Sequence, residues 1–271
     1  MKNGRIIVIA FIGFLFASNG YSTIINGGFE TGNLAGWQII GDASIQTSSF
    51  GSGPTQGIYQ AVLSNDRLSY ETGNTQNVGR FVYPLSGSPA VPSHSVDTFL
   101  GLPSGTLSSI TTITNSSDIL PEHAGPGSAI KQTFSGNTGA TIAFDWNYIT
   151  SDGYNYDFSF MTLTSTNLLF VQKLAGNVIL PPEDIPLFPS ATIFLMETGF
   201  DTFSFTLPTS GTYTLGLGVV HVSDDVFDSG LIIDNFKIVS VTEPATILLL
   251  STGLIGLAGY GRYERKKLRQ T

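Results

Sequence analysis

Residues 141–148 read TIAFDWNY, with Ile142, Phe144, Trp146 and Tyr148 at every second place and Asp145 and Asn147 between them. Side chains along a strand point alternately to its two faces. The stretch therefore predicts a strand with one apolar, buried face and one polar face. The same period of two returns further on. Tyr156, Phe158 and Phe160 alternate with Asp157 and Ser159, and Phe203, Phe205 and Leu207 alternate with Ser204 and Thr206. Tyr213, Leu215, Leu217 and Val219 do so across TYTLGLGVV. Turn residues such as PTSG at 208–211 separate the runs. Half-buried strands between tight turns predict antiparallel sheets. Many of them in one chain predict an all-β sandwich, specifically a jelly roll. No internal repeat of fixed period is present.

The two ends follow other patterns. Lys2 and Arg5 precede the apolar run IIVIAFIGFLFA at 6–17, and the small residues Gly20 and Ser22 follow it. This is the layout of a signal peptide cleaved after Ser22, occupying 1–22. The run is shorter than the ~20 residues that a membrane span needs. At the other end, residues 245–263 are mostly apolar and near that lower limit. Arg262, Arg265, Lys266, Lys267 and Arg269 follow closely. An apolar run closed by basic residues predicts a single transmembrane helix with a cytoplasmic basic end. The body between the two ends is then 23–241, the β-sandwich domain.

Charge and composition restrict what this body does. It holds five Lys and Arg (Arg67, Arg80, Lys131, Lys173, Lys237) against eighteen Asp and Glu, a formal charge of −13. Such a field repels phosphate backbones, which argues against a nucleic-acid partner, and attracts cations. The chain has no cysteine. Disulfides, zinc–thiolate sites, iron–sulfur clusters and thiol nucleophiles are excluded, and a body of this size buries enough apolar area without cross-links. Catalytic motifs are also missing. His94, His123 and His221 are far apart in the chain, and no nucleophile elbow, His-Glu-x-x-His motif or phosphate-binding loop occurs. The expectation is a protein that is not an enzyme.

Three segments stand apart from the strand pattern. Residues 84–128 are rich in Ser, Thr, Gly and Pro and predict a long surface excursion with a short helix near 95–100. Residues 175–190 (AGNVILPPEDIPLFPS) hold prolines that cannot donate to a ladder, which places them at a sheet edge or outside the sheets. The last strand, LIIDNFKI at 231–238, sets a problem. With Ile232, Phe236 and Ile238 inward, Asp234 is also inward; with Leu231 and Ile233 inward, Asn235 is. A buried carboxylate needs hydrogen bonds or a cation to offset its desolvation. Two acidic clusters are further cation candidates: Asp224, Asp225 and Asp228 in DDVFDSG, and Asp152, Asn155 and Asp157 in SDGYNYD. Calcium takes several oxygen ligands of these types. The competing reading is a solvated acidic loop. Aromatic rings stack on sugars, and Tyr154 and Tyr156 beside a turn are the exposed candidates, whereas Trp37 and Trp146 read as core.

Longer motifs add resemblances. NGGFETGNLAGW at 26–37 and PTQGIYQAVL at 54–63 resemble the entry of secreted jelly-roll domains of the carbohydrate-binding type. In that reading Phe29 anchors the first strand and Trp37 begins the next. The resemblance implies structural calcium where the first and last strands meet, which would pair Glu30 with Asp234. GSAIKQTF at 127–134, the stretch 142–161 and the stretch 197–238 together resemble exported bacterial proteins that carry a PEP-CTERM tail. The tail itself resembles that sorting signal. Glu243, Pro244 and Ala245 match, while Thr242 stands where the first proline is usual. The resemblance implies an exosortase in the inner membrane of a Gram-negative bacterium, with delivery to the cell surface or the extracellular polysaccharide matrix. The expected function is a non-catalytic surface or matrix protein associated with exopolysaccharide or biofilm. The alternative is a glycan-binding module with a defined sugar site, and a secreted glycan hydrolase is a third reading.

Overall fold

Alternating apolar residues do form strands, and the chain order of those strands defines the architecture. In this computed structural model the described residues are 24–67, 84–110, 113–114, 119–120, 123–152, 157–176, 186–222, 227–239, 252–258, 260 and 262. Among them the first strands are β1 (Gln38–Ile40), β2 (Asp42–Gln46), β3 (Gln60–Ser64), β4 (Ile113–Thr114) and β5 (Ile119–Leu120). The long central strands are β6 (Ala124–Gly136), β7 (Thr141–Thr150), β8 (Phe158–Ser165) and β9 (Leu168–Gly176). The last are β10 (Phe188–Pro189), β11 (Met196–Glu197), β12 (Asp201–Thr206), β13 (Gly211–Val222) and β14 (Ser229–Val239).

One sheet runs β1-β6-β13-β8-β9 and the other β10-β11-β7-β14-β3-β2, with β12 also paired to β7. Every pairing is antiparallel. Within these sheets lie the quartets β6-β13-β8-β9 and β3-β14-β7-β12. The chain passes back and forth between them in the strand order of a jelly roll. The expected β-sandwich is therefore the observed one.

The core lies between the sheets. Ile142, Phe144, Trp146 and Tyr148 of β7 meet Tyr213, Leu215, Leu217 and Val219 of β13 there, together with Trp37 and Phe29. Phe158 and Phe160 differ from that pattern. They lie on the outer face of their sheet, in a second apolar cluster with Val96, Leu100, Leu102 and Leu107. These last residues come from the excursion. It contains α1 (Ser93–Leu100), where a short helix is expected, and α2 (Thr106–Ser109). The two helices of the excursion thus pack as a lid on the sheet. Asp97, itself buried, joins the two helices by accepting from Gly105 N at 2.8 Å and Leu107 N at 3.2 Å. The sheet makes room with glycine. A Cβ on Gly216 would stand 2.4 Å from Leu100 Cδ2, so the helix rests on bare backbone.

The opening motif also differs from its reading. Phe29 is fully buried but lies in a series of turns, and the first strand begins only at Gln38, just after Trp37. Gly27 is pinned to the last strand, with Phe236 N donating to its carbonyl at 3.0 Å. The last strand solves its own problem with a bulge. Leu231 and Ile233 face the core, the register shifts between Asp234 and Lys237, and Asn235 adopts φ 52°. The extra residue returns Phe236 to the core while Asp234 stays on the outer face.

Residues 177–185 of the Pro-rich stretch lie outside the described residues; Pro189 fits the edge reading, since among the described strands β10 pairs only with β11. Residues 252–258, 260 and 262 are helical and exposed. No helix among the described residues is long and apolar enough to cross a membrane. The signal peptide and the sorting motif Thr242, Glu243, Pro244 and Ala245 lie outside the described residues, as do Arg265, Lys266, Lys267 and Arg269.

Candidate functional site

Strands β3, β7 and β13 end, and β8 and β14 begin, at the same end of the sandwich, as their registers show. The residues that follow or precede them are polar and buried. Asp157 is the centre. Its Oδ2 accepts from Asn65 Nδ2 at 2.8 Å and Ser229 Oγ at 2.9 Å, and its Oδ1 accepts from Val222 N at 3.0 Å. His221 Nδ1 lies 3.2 Å from the same Oδ2, and His221 Nε2 lies 3.7 Å from Asp228 Oδ1. Tyr148 donates to Asp157 O at 2.9 Å, and burial raises its hydroxyl pKa well above the ordinary range. Ser229 N donates to Asn65 Oδ1 at 2.7 Å, and Ser151 N to Asp228 O at 2.9 Å. One network therefore ties the ends of five strands together.

Two oxygens in this network have no hydrogen-bond partner among the described residues: Asp66 Oδ2 and Ser151 Oγ. Asp66 is 5% exposed and Ser151 8%. Burial, together with the charges of Asp228 and Asp42, pushes the Asp66 carboxyl up to about 8, while His221 works in the opposite direction. Asp66 is therefore a neutral acid at pH 7. Asp42 is fully buried but well served. It accepts from Ser64 Oγ, from Leu85 N at 2.9 Å and from Ser86 N at 2.7 Å.

The sequence anticipated part of this end. Asp152 and Asp157 from one acidic cluster and Asp228 from the other do meet here, whereas Tyr154, Asn155, Tyr156, Asp224 and Asp225 lie outside the described residues. Asn65, Asp66 and His221 were not anticipated. His221 did carry a signal: it continues the period-two face of Leu217 and Val219, which puts a polar ring on an apolar face at a strand end.

A second polar site joins the start of the chain to its last strand. Asp234 lies directly opposite Asp145. Thr55 Oγ1 bridges them, at 2.7 Å from Asp145 Oδ2 and 3.1 Å from Asp234 Oδ2. Asp145 also accepts from Thr202 Oγ1 at 2.6 Å and Asn235 Nδ2 at 2.9 Å. Burial works to raise both carboxyls. At Asp145 the hydrogen bonds and the charge of Lys237 win, and its pKa falls below the usual range. At Asp234 burial wins over donors from Gln56, Asn235 and Thr55.

Glu30 comes to the same corner. A Cβ on Gly28 would stand 3.7 Å from Glu30 Cγ and 3.9 Å from Asp234 Oδ1. The carboxylate of Glu30 accepts from Ile58 N at 3.0 Å and Tyr59 N at 3.2 Å. Asp234 accepts from Gln56 N at 2.8 Å and Asn235 N at 2.6 Å. Calcium needs some six to eight oxygen ligands. Here N–H groups already point at these carboxylate oxygens, so as they stand the two carboxylates clamp the 55–59 loop rather than form a cage. Among the described residues no group of three or more His, Asp or Glu is arranged to hold a metal.

Apolar packing covers part of each broad face of the sandwich. The helices pack on one, and Phe50, Phe194 and Phe200 pack on Val62, Ile149 and Ile232 of the other. Comparison with protein-family models finds no match, and comparison with curated proteins finds none either. Among solved structures, the chain is similar to the carbohydrate-binding module TmCBM61 in complex with β-1,4-galactotriose. The identity is 11%, the TM-score 0.42, and the match covers 81% of this chain and 99% of that one. It is also similar to the K2 cleaved adhesin domain of Lys-gingipain, at 11% identity, TM-score 0.36, and 78% and 92% coverage. A match to bacteriophage CBA120 tailspike protein 4 has 9% identity and TM-score 0.34, over 80% of this chain and 21% of that one. At such scores it is the strand order described above, not these neighbours, that establishes the fold.

Proposed function

We propose that the chain is an exported, non-catalytic glycan-binding module whose tail holds it at, or delivers it to, the cell surface. One observation carries the reading. One end of the sandwich gathers buried polar side chains, with Asp66 Oδ2 and Ser151 Oγ unpartnered among the described residues. Sugar sites are built from a few such convergent polar groups on a rigid frame. Tyr154 and Tyr156 lie in sequence between Asp152 and Asp157 of this end and would supply stacking rings. Export and anchoring rest on the basic–apolar N-terminus and the apolar–basic tail, and the exosortase partner on Glu243 and Pro244.

A glycan array on the full-length chain tests the proposal. Selective binding, weakened by Tyr154→Ala or Tyr156→Ala, is expected. A blank array would leave the plain surface or matrix protein. Polysaccharide turnover lost on changing one carboxylate would establish a hydrolase instead.

A further inference from the structure

The chemistry of the polar end narrows the ligand class, an inference that rests on the glycan-binding reading above. Two buried side chains are left over at this end. Asp66 Oδ2 and Ser151 Oγ have no partner among the described residues, and both residues are more than nine-tenths buried. They belong to one place. Asp66 feels the charges of Asp228 and His221, and Ser151 N bonds Asp228 O at 2.9 Å. Asp228 is the rim residue of the group, with its side chain 17% exposed. Asp152 and Asp157 add two further carboxyls, both almost fully buried. The basic groups nearby are Arg67, next in the chain after Asp66, Lys173, whose Nζ lies 5.5 Å from the Phe158 ring centroid, and the imidazole of His221 between Asp157 and Asp228. Even without Asp66, the carboxyls Asp42, Asp152, Asp157 and Asp228 outnumber Arg67 and Lys173, and the body as a whole carries −13.

A uronate or phosphate brings more negative charge to such a place, and a neutral sugar brings no charge to match it. An ammonium group brings three N–H donors and the opposite charge. We infer that the polar end takes an amine-bearing, glucosamine-type glycan, its ammonium seated against Asp66, Ser151 and Asp228. Docking has a proton consequence. Asp66 is neutral at pH 7 because burial and its acidic neighbours hold its pKa near 8. A cation beside it favours the carboxylate, so binding at that pH expels a proton.

The test is calorimetry on the full-length chain with three probes of equal length: glucosamine oligomers, their fully N-acetylated counterparts, and glucuronate oligomers. The amine oligomer is expected to bind at least ~10-fold tighter than the acetylated one, because acetylation removes the charge from the same backbone. In buffers of different ionisation enthalpy its binding should release about one proton at pH 7, and Asp66→Asn should abolish that release. Asp228→Asn, at the partly exposed rim, should erase the preference without changing the melting temperature by more than a few degrees. Equal or better binding of the acetylated oligomer would overturn the amine assignment while leaving glycan binding intact. So would a preference that survives Asp228→Asn, which would reduce it to general attraction by an acidic surface. Failure of all three probes, with a blank array, would remove the underlying reading.

Discussion

Asp66 shows how one side chain sets a pH dependence. Its folded pKa, about 8, lies above the ordinary carboxylate value, because burial and then the charges of Asp228 and Asp42 oppose ionisation. A group raised on folding binds more protons in the native state. Its contribution is complete below about pH 4 and is lost as pH rises to about 8. Asp145 acts in the opposite sense. Its pKa is lowered by donors from Thr202, Thr55 and Asn235 and by Lys237 against the cost of burial, so its contribution is present above about pH 4 and is lost on acidification below that. Urea melts across pH 5 to 8.5 should show falling stability, and Asp66→Asn should flatten the slope. An unchanged slope in the variant would assign it to another group. The raised pKa of Asp66 was not legible from its neighbours in sequence, Asn65 and Arg67, because beyond burial the residues that raise it are Asp228, just before β14, and Asp42 of β2.

At the scale of elements, a period of two was enough to locate β7, β12 and β13, since one face of each packs the core. It did not say what the other face does. Phe158 and Phe160 look like core residues in sequence and are core residues, but of a second core made by α1 and α2 on the outer face. Only an excursion folding back from afar decides that. The helices are short and depend on this packing. Leu100→Ala, from 2% exposed, should cost about 2–5 kcal/mol in a urea melt. A change below ~0.5 kcal/mol, the range of surface substitutions, would mean that the lid is not part of the cooperative fold. The bulge at Asn235 is a second case. The sequence LIIDNFKI allows two registers, each with a polar residue inside. The left-handed backbone at Asn235 lets the strand change face midway and avoid both.

Over the whole molecule the two ends of the sandwich are unlike. Strand β14 starts at Ser229 in the polar network and finishes at Val239 at the opposite end, about 33 Å away by strand rise. The tail continues from that far end. The full chain should sediment with membranes, whereas a chain ending at residue 241 should stay soluble and melt at the same temperature; identical fractionation of the two would remove the anchor. What the sequence determined by itself is what depends on local pattern and total charge: an acidic, cysteine-free β-sandwich, the core faces of β7, β12 and β13, a helix near 95–100, and ends unlike its body. These follow because strand periodicity and charge are carried by neighbouring residues. Only the tertiary structure decided which carboxylates meet. Asp66, Asp157, His221 and Asp228 are separated by up to 162 positions and become one network because β3, β7, β8, β13 and β14 turn at the same end. Strand pairing over such distances leaves no trace in the local sequence.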